Sequence, residues 1–282
     1  RSQGKASLER INALLDYPVE IKDEDVVDVE IKGHITFNNL TFQYPGSNIN
    51  ALENICLDIP QGTSVGILGR TGSGKTTLVD MLLRLYNVEK ESIFIDGVDI
   101  MNVGLKNLRD NIGYVPQDNF LFSKTVLDNI CFSEESNDLE KAKLYAKYAS
   151  VDTNIEDFPE KYDTVLGERG VTLSGGQRQR ISIARAMIKD PAILILDDSV
   201  SAVDTETEEK ILSYLKQTRK NKTTILVAHR ISTVKDMDLI VLLDDGKVIA
   251  KGRHKELLET SKEYKDMVLL QQLDEEEVGS HE

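Results

Sequence analysis

The chain has 282 residues, with 34 Lys and Arg against 48 Asp and Glu, which gives a formal net charge of -14. That acidity excludes a general binder of DNA or RNA, whose phosphates demand a basic footprint. A hydrophobic content of 40% excludes a disordered chain. The length fits about two compact units of roughly 150 residues, or one larger unit with insertions. No apolar run approaches the roughly 20 residues of a membrane helix, so the chain as it stands is expected to be soluble. Signal-peptide organisation is absent from the N-terminus, and a start at Arg1 without Met is expected of a fragment cut from something longer. Cys56 and Cys131 lie far apart without metal-ligand spacing, and both are expected to be buried free thiols.

Ala6, Leu8, Ile11 and Leu15 recur at helical spacing within Gly4 to Leu15. The acidic, aperiodic stretch from Pro18 to Glu30 reads as a linker. Two short β-rich runs, Ile35 to Phe37 and Leu40 to Phe42, come next, followed by a buried strand from Ser64 to Leu68 that enters a glycine loop and a helix from Lys75 to Tyr86. Ser92 to Ile95, Asp96-Gly97 and Val98 to Ile100 read as a hairpin with a type I′ turn. Asn137 to Ser150 is rich in charge and alanine, and helical. Leu194 to Leu196, Thr224 to Val227 and Leu239 to Leu243 are apolar strands, and the last turns through Asp245-Gly246 into Val248 to Ala250. Glu256 to Leu273 reads as a helix, and Asp274 to Glu282 as a disordered acidic end. Apolar strands alternating with helices predict an α/β fold with a parallel sheet covered on both faces.

Gly69-Arg70-Thr71-Gly72-Ser73-Gly74-Lys75-Thr76-Thr77 fits G-x-x-x-x-G-K-[ST] and stands between a strand and a helix, where a phosphate-binding loop works. Glycines let the backbone wrap a phosphate, and free N–H groups with the helix dipole hold the anion. Lys75 places a charge on the β- and γ-phosphates, and Thr76 offers a hydroxyl to Mg²⁺. Ile193 to Asp197 ends an apolar strand in an acid, which predicts Asp197 as a holder of the Mg²⁺ shell, with Asp198 directly after it. In Leu173-Ser174-Gly175-Gly176-Gln177, Ser174 is the expected N-cap of a helix from about Gly176 to Ile188 with Ile181, Ala184 and Ile188 buried. Its glycines leave the helix start open to an anion.

At these residues the chain resembles the nucleotide-binding domain of ATP-binding cassette transporters, with the motifs in the family's order from about Ile35 to Leu273. The resemblance implies a P-loop (RecA-like) core, an antiparallel β subdomain and an inserted α-helical subdomain at about residues 118–189. It places the cassette at 33–273, between a linker segment at 1–32 and an acidic tail at 274–282. It implies ATP and Mg²⁺ as ligands. Leu173 to Gln177 matches the family signature. Gln117 matches the Q-loop, which touches the Mg²⁺ shell, and Tyr44 the aromatic that stacks on adenine. Ser201-Ala202-Val203-Asp204 matches the D-loop, and His229 the switch histidine on the γ-phosphate. Gly167-Glu168-Arg169-Gly170 looks like the X-loop of exporters. The N-terminal helix looks like the end of an exporter's last transmembrane helix, so the resemblance implies a half-transporter stripped of its membrane domain and normally held at the cytoplasmic membrane face.

One position departs from the family. The catalytic carboxylate after Asp197 is normally Glu, and here it is Asp198. Aspartate is one methylene shorter, which retracts the base by ~1.5 Å. A misplacement of about 1 Å costs on the order of 10²-fold. This resembles one half of the heterodimeric multidrug exporters, whose two ATP sites are unequal. The partner would be a second half-transporter, with this chain's signature completing the partner's site. The alternative is an ordinary hydrolytic cassette of a homodimeric lipid or peptide exporter. Three other readings compete: a DNA-repair or translation ATPase of the superfamily, for whose insertions or tandem cassettes there is no room; a P-loop kinase or GTPase, which would lack the signature; and a regulatory ATP-binding module that does not hydrolyse.

Overall fold

The computed structural model describes residues 2–167, 172–201 and 203–279. In chain order, helix α1 (Ser2–Leu15) leads through the irregular linker to an antiparallel pair, β1 (Ile35–Phe42) and β2 (Leu52–Ile59), and then to β3 (Ser64–Gly69) and α2 (Lys75–Leu82). The hairpin β4 (Ile93–Ile95) and β5 (Val98–Asp99) follows, then α3 (Leu105–Asp110) and β6 (Ile112–Val115). A helical segment carries α4 (Val126–Ile130), α5 (Leu139–Tyr148), α6 (Asp152–Glu156) and α7 (Gly175–Met187). The chain returns through β7 (Ile193–Asp197), α8 (Thr205–Thr218), β8 (Thr223–Ala228), α9 (Ile231–Val234), β9 (Leu239–Asp244) and β10 (Lys247–Gly252), and closes with α10 (His254–Thr260) and α11 (Lys262–Gly279).

Two sheets result. One has the order β2-β1-β4-β5, and the other β10-β9-β3-β8-β7-β6. In the larger sheet β9, β3, β8, β7 and β6 are parallel, and only β10 runs antiparallel at its edge. Every residue of β7 and of β8 is buried, as a strand covered on both faces requires. Alternation along the strands divides the apolar side chains between two cores. Val65, Ile67, Ile193, Ile195, Ile225 and Val227 pack with α2 and the antiparallel sheet. Leu68, Leu194, Leu196, Leu226 and Ala228 face the helical segment and α11. The order β3-β8-β7 brings the carboxyl ends of these strands side by side, about 4.8 Å apart per strand. Gly69, His229 and Asp197 therefore stand along one edge.

Both hairpin turns match expectation, with left-handed pairs at Asp96 (φ 49) and Gly97 (φ 81) and at Asp245 (φ 44) and Gly246 (φ 73). Five expectations differ from the structure. The helix expected from Lys75 to Tyr86 ends at Leu82, with Leu83 as its C-cap and a left-handed Arg84 (φ 46) after it. The two runs within 35–42 form one strand, whose register shifts around a left-handed Asn39 (φ 49). Two helices replace the single helix expected over 256–273, because Ser261 adopts extended torsions (φ -110, ψ 119) and its hydroxyl accepts the Tyr264 N–H. Helical backbone continues through Gly279, into the stretch expected to be disordered. Cys131 is buried but Cys56 is exposed, because the period of β2 turns Ile55 and Leu57 inward and Cys56 out.

Arg84 ties the linker to this frame. Its side chain is fully buried, and it donates to the carbonyls of Val103 (2.9 Å) and Lys22 (3.0 Å), with Asp23 at 3.6 Å. Asp23 in turn accepts from the Leu105 N–H. Arg84→Ala would leave these carbonyls unpaired around a cavity, at a cost of about 2–4 kcal/mol. Urea denaturation should show that loss, and limited proteolysis should cut the linker near Lys22 faster than in the parent.

Candidate nucleotide site

The loop between β3 and α2 is built on left-handed glycines, Gly72 (φ 83) and Gly74 (φ 99). A Cβ at Gly74 would stand 2.8 Å from the Ala51 carbonyl oxygen, so space as well as torsion demands glycine there. The Ser73 N–H donates to the Arg70 carbonyl, and the Ser73 carbonyl accepts from Gly246 N–H, which holds the loop against the β9–β10 turn. The Ser73 hydroxyl is buried without a partner. Lys75 is buried, and its ammonium donates to the carbonyls of Gly69 and Arg70, both at 2.9 Å. Burial pushes its pKa down, and Asp197 and Asp198 oppose the shift.

Asp197 is 2% exposed at the end of β7, and its Oδ2 has no hydrogen-bond partner. Burial raises its pKa, and the Asp198 charge raises it further, whereas a Thr76 hydrogen bond, Lys75 and His229 lower it. An unpartnered carboxylate oxygen beside a threonine hydroxyl and an ammonium suits an oxygen-seeking divalent cation such as Mg²⁺, and the orphaned Ser73 hydroxyl adds a donor inside the loop. The residues present therefore fit a metal–triphosphate pair.

Asp198 is half-buried and left-handed (φ 47), a conformation that Asp adopts far more readily than most residues. Its N–H donates to the Val227 carbonyl, and its own carbonyl accepts from Ser201 Oγ (2.8 Å) and Gln179 Nε2 (3.3 Å). Gln117 is exposed, with its amide 3.5 Å from Asp198 Oδ2. His229 is exposed at the end of β8, and it shares a cavity of about 510 Å³ with Gly69, Arg70, Thr71 and the face of α11. Tyr44 donates to or accepts from Thr77 Oγ1 at 2.9 Å, and its ring meets Phe42 and Tyr86 edge-on at 5.1 and 5.3 Å.

The Leu173 to Gln177 segment forms a separate constellation. Ser174 Oγ accepts from the Gln177 N–H (3.2 Å), and Gln177 Oε1 accepts from the Ser174 N–H (3.0 Å), a closed capping box at the start of α7. Ser174 and Gly175 are exposed, with nothing within 4 Å of a Cβ built at Gly175. No hydrogen bond among the described residues joins Ser174, Gly175, Gly176 or Gln177 to the 69–77 loop. Of the other motifs, Asp204 caps α8 through the Thr207 N–H (3.0 Å). Glu168, Arg169 and Gly170 of the expected X-loop and Ala202 of the expected D-loop lie outside the described residues.

The spacing rules missed Asp80, Tyr114 and Gln179. Asp80 lies on α2, where burial first and Asp197 second push its pKa up from 3.8 to about 6. Only the phase of α2 against β7, which places Asp80 near Asp197, could have flagged it. Tyr114 is likewise raised, by burial ahead of the Asp197 and Asp80 charges.

A glycine-built loop at a helix start, with a buried acid ending a nearby parallel strand, defines a P-loop nucleoside-triphosphate-binding protein. The family model described as "ABC transporter" matches residues 52–201, a little over half the chain. A Bacillus subtilis (strain 168) protein named "Probable multidrug resistance ABC transporter ATP-binding/permease protein YheI" is 43% identical over 279 residues, covering 98% of this chain and 48% of its own length. The "ATP-dependent lipid A-core flippase" of Haemophilus influenzae (strain ATCC 51907 / DSM 11121 / KW20 / Rd) is 40% identical over 270 residues, 95% of this chain and 46% of its own. A bacterial Atm1-family ABC exporter solved with ATP bound superposes with a TM-score of 0.89 at 36% identity, over 96% of this chain and 47% of that one. The chain belongs to the ABC transporter family, and it spans about half the length of the relatives it matches. Among the described residues, no helix is long and apolar enough to cross a membrane.

The raised Asp80 pKa carries a sign that can be checked. The unfolded carboxyl releases its proton near 3.8, and the folded one only near 6, so the folded state binds more protons between those values. Stability therefore falls as pH rises through that window, and the penalty stands in full above it. Asp80→Asn is expected to be more stable than the parent at pH 7, with the gap closing as pH falls toward 4. Thermal melts across that range measure it.

Proposed function

We propose that the chain is the ATP-binding and ATP-hydrolysing cassette of an ABC exporter, working at the cytoplasmic face of a membrane beside a transmembrane domain. The observation that carries the reading is the unpartnered Asp197 oxygen facing the Thr76 and Lys75 end of the glycine loop. In this reading the 69–77 backbone cradles the phosphates, and Lys75 leaves its two carbonyls for the β- and γ-oxygens. Thr76, Asp197 and Gln117 hold the shell of Mg²⁺, which when bound neutralises phosphate charge. Tyr44 stacks on adenine. Its hydroxyl, held at 2.9 Å from Thr77 Oγ1, fixes the ring beside the glycine loop. Asp198 takes the proton of the attacking water, and His229 contacts the γ-phosphate. Lys75→Ala is expected to abolish nucleotide binding in a titration with ATP and Mg²⁺. A variant that bound like the parent would refute the loop assignment.

The exposed capping box of α7 supports a head-to-tail pair in which Ser174, Gly175, Gly176 and Gln177 of one chain close the nucleotide site of another. Such a pair would form only with ATP, against a net charge of -14 per chain. The multidrug-resistance and lipid A-core relatives support export of lipophilic compounds, multidrug or lipid. The shortened carboxylate at Asp198 supports a heterodimer with one slow site. A homodimer with two equal sites is the second reading, in which the left-handed backbone at Asp198 offsets the missing methylene. The two readings part in the assembled exporter. With a slow own site, Ser174→Ala should lower ATP turnover by about 10²–10³-fold, the loss of one transition-state donor, and Asp198→Asn far less. Equal losses for both variants would establish Asp198 as an ordinary catalytic base.

A further inference from the structure

Helix α11 lies beyond the residues that the family model matches, yet it reaches the site. Tyr264 is fully buried, and its hydroxyl meets His254 Nδ1 at 2.8 Å, which anchors the first turn of α11 against α10. Gln271 follows seven residues later, two turns on, and so lies on the same helix face. Its Nε2 donates to the His229 carbonyl at 2.7 Å, and its Oε1 accepts from the Ile231 N–H at 2.8 Å. One side-chain amide thus grips the backbone on both sides of Arg230, as a neighbouring strand would grip residues i and i+2. It does so at the point where β8 ends and the His229 side chain leaves the sheet. Gln271, Met267 and Leu270 of α11 also line the cavity of about 510 Å³ that Gly69, Arg70, Thr71 and His229 share.

We propose that Gln271 is a positioning residue for the switch histidine, and that α11 is the strut that aims His229 at the γ-phosphate. The proposal rests on the reading of His229 given above. It requires no change in the loop that holds the α- and β-phosphates, because Gln271 bonds only to the His229 to Ile231 backbone. Loosening that grip should weaken ligands that carry a γ-phosphate and spare those that lack one.

The test titrates the 282-residue chain with Mg²⁺ and either the β,γ-imido analogue of ATP or ADP. The variants are Gln271→Met, Gln271→Glu, His229→Ala and the double variant Gln271→Met with His229→Ala. Losing one backbone-orienting hydrogen bond is worth roughly a fivefold change in affinity. Gln271→Met should therefore bind the analogue about fivefold more weakly, with the ADP affinity within about twofold of the parent's. Gln271→Glu retains the shape and the acceptor for Ile231 but has no N–H for the His229 carbonyl, and it should shift the same way. The double variant should be no worse than His229→Ala alone, because both changes act through one ring. If His229→Ala weakens the analogue selectively and both Gln271 variants discriminate like the parent, the proposal is overturned. If the Gln271 variants weaken both ligands equally and melt lower, Gln271 merely caps α9, and the proposal is again overturned. If His229→Ala itself leaves discrimination intact, the reading of His229 fails and takes the strut with it.

Discussion

Asp197 ends a strand in which every residue is buried, and one of its oxygens meets no donor. A carboxylate in that position is costly unless something charged faces it. The strand order brings a second buried ion, Lys75, to the same edge, but its donors are turned to the Gly69 and Arg70 carbonyls. Burial pushes the pKa of Asp197 and of Asp80 upward, and repulsion adds to it, from Asp198 on Asp197 and from Asp197 on Asp80. The edge thus holds separated, under-compensated charge within a rigid frame. Much of the rest of the molecule serves to keep that frame from relaxing.

Two features prevent the relaxation. The first is the split of each central strand between two cores. Because Ile193, Ile195, Ile225 and Val227 pack one way and Leu194, Leu196, Leu226 and Ala228 the other, a one-residue slip of either strand would exchange both sets. The second is a set of backbone bonds to the connecting loops from outside the sheet. Gly246 holds the glycine loop, Gln179 and Ser201 hold the Asp198 carbonyl, and Gln271 holds the turn after β8. Gln179 belongs to the helix whose first residues carry the exposed capping box, so that helix touches the Asp198 backbone directly.

The parts legible in the sequence were those that local chemistry dictates. The glycines of the phosphate loop, the Ser174 cap and the Asp-Gly turns each leave a residue-level mark, and unbroken apolar runs mark the inner strands. What was not legible depends on distant parts of the fold. Asn38-Asn39 reads as a strand end, but pairing with β2 carries β1 through a bulge there. Helical periodicity continues across Ser261, yet the hydroxyl that accepts the Tyr264 N–H breaks the helix. Cys56 looked like a core thiol until the phase of β2 turned it outward. Asp80 and Gln271 carry no motif at all, and only the placement of α2 and α11 gives them meaning.

The strand order also fixes when the glycine loop can be steadied during synthesis. β3 is flanked by β8 and β9, which leave the ribosome about 150 residues after it, roughly 10 to 30 s later. In that interval β1 and β2, neighbours in sequence, can pair and begin their own core, while Val65, Ile67 and Leu68 wait with both strand edges open. An apolar strand with free edges is a template for wrong pairing, and long-range parallel pairing is slow to supply the right one. The nascent chain therefore carries this apolar strand with both edges unpaired until β8 and β9 emerge. A synonymous change that slows elongation between α2 and β8 would lengthen that exposure without altering a single residue.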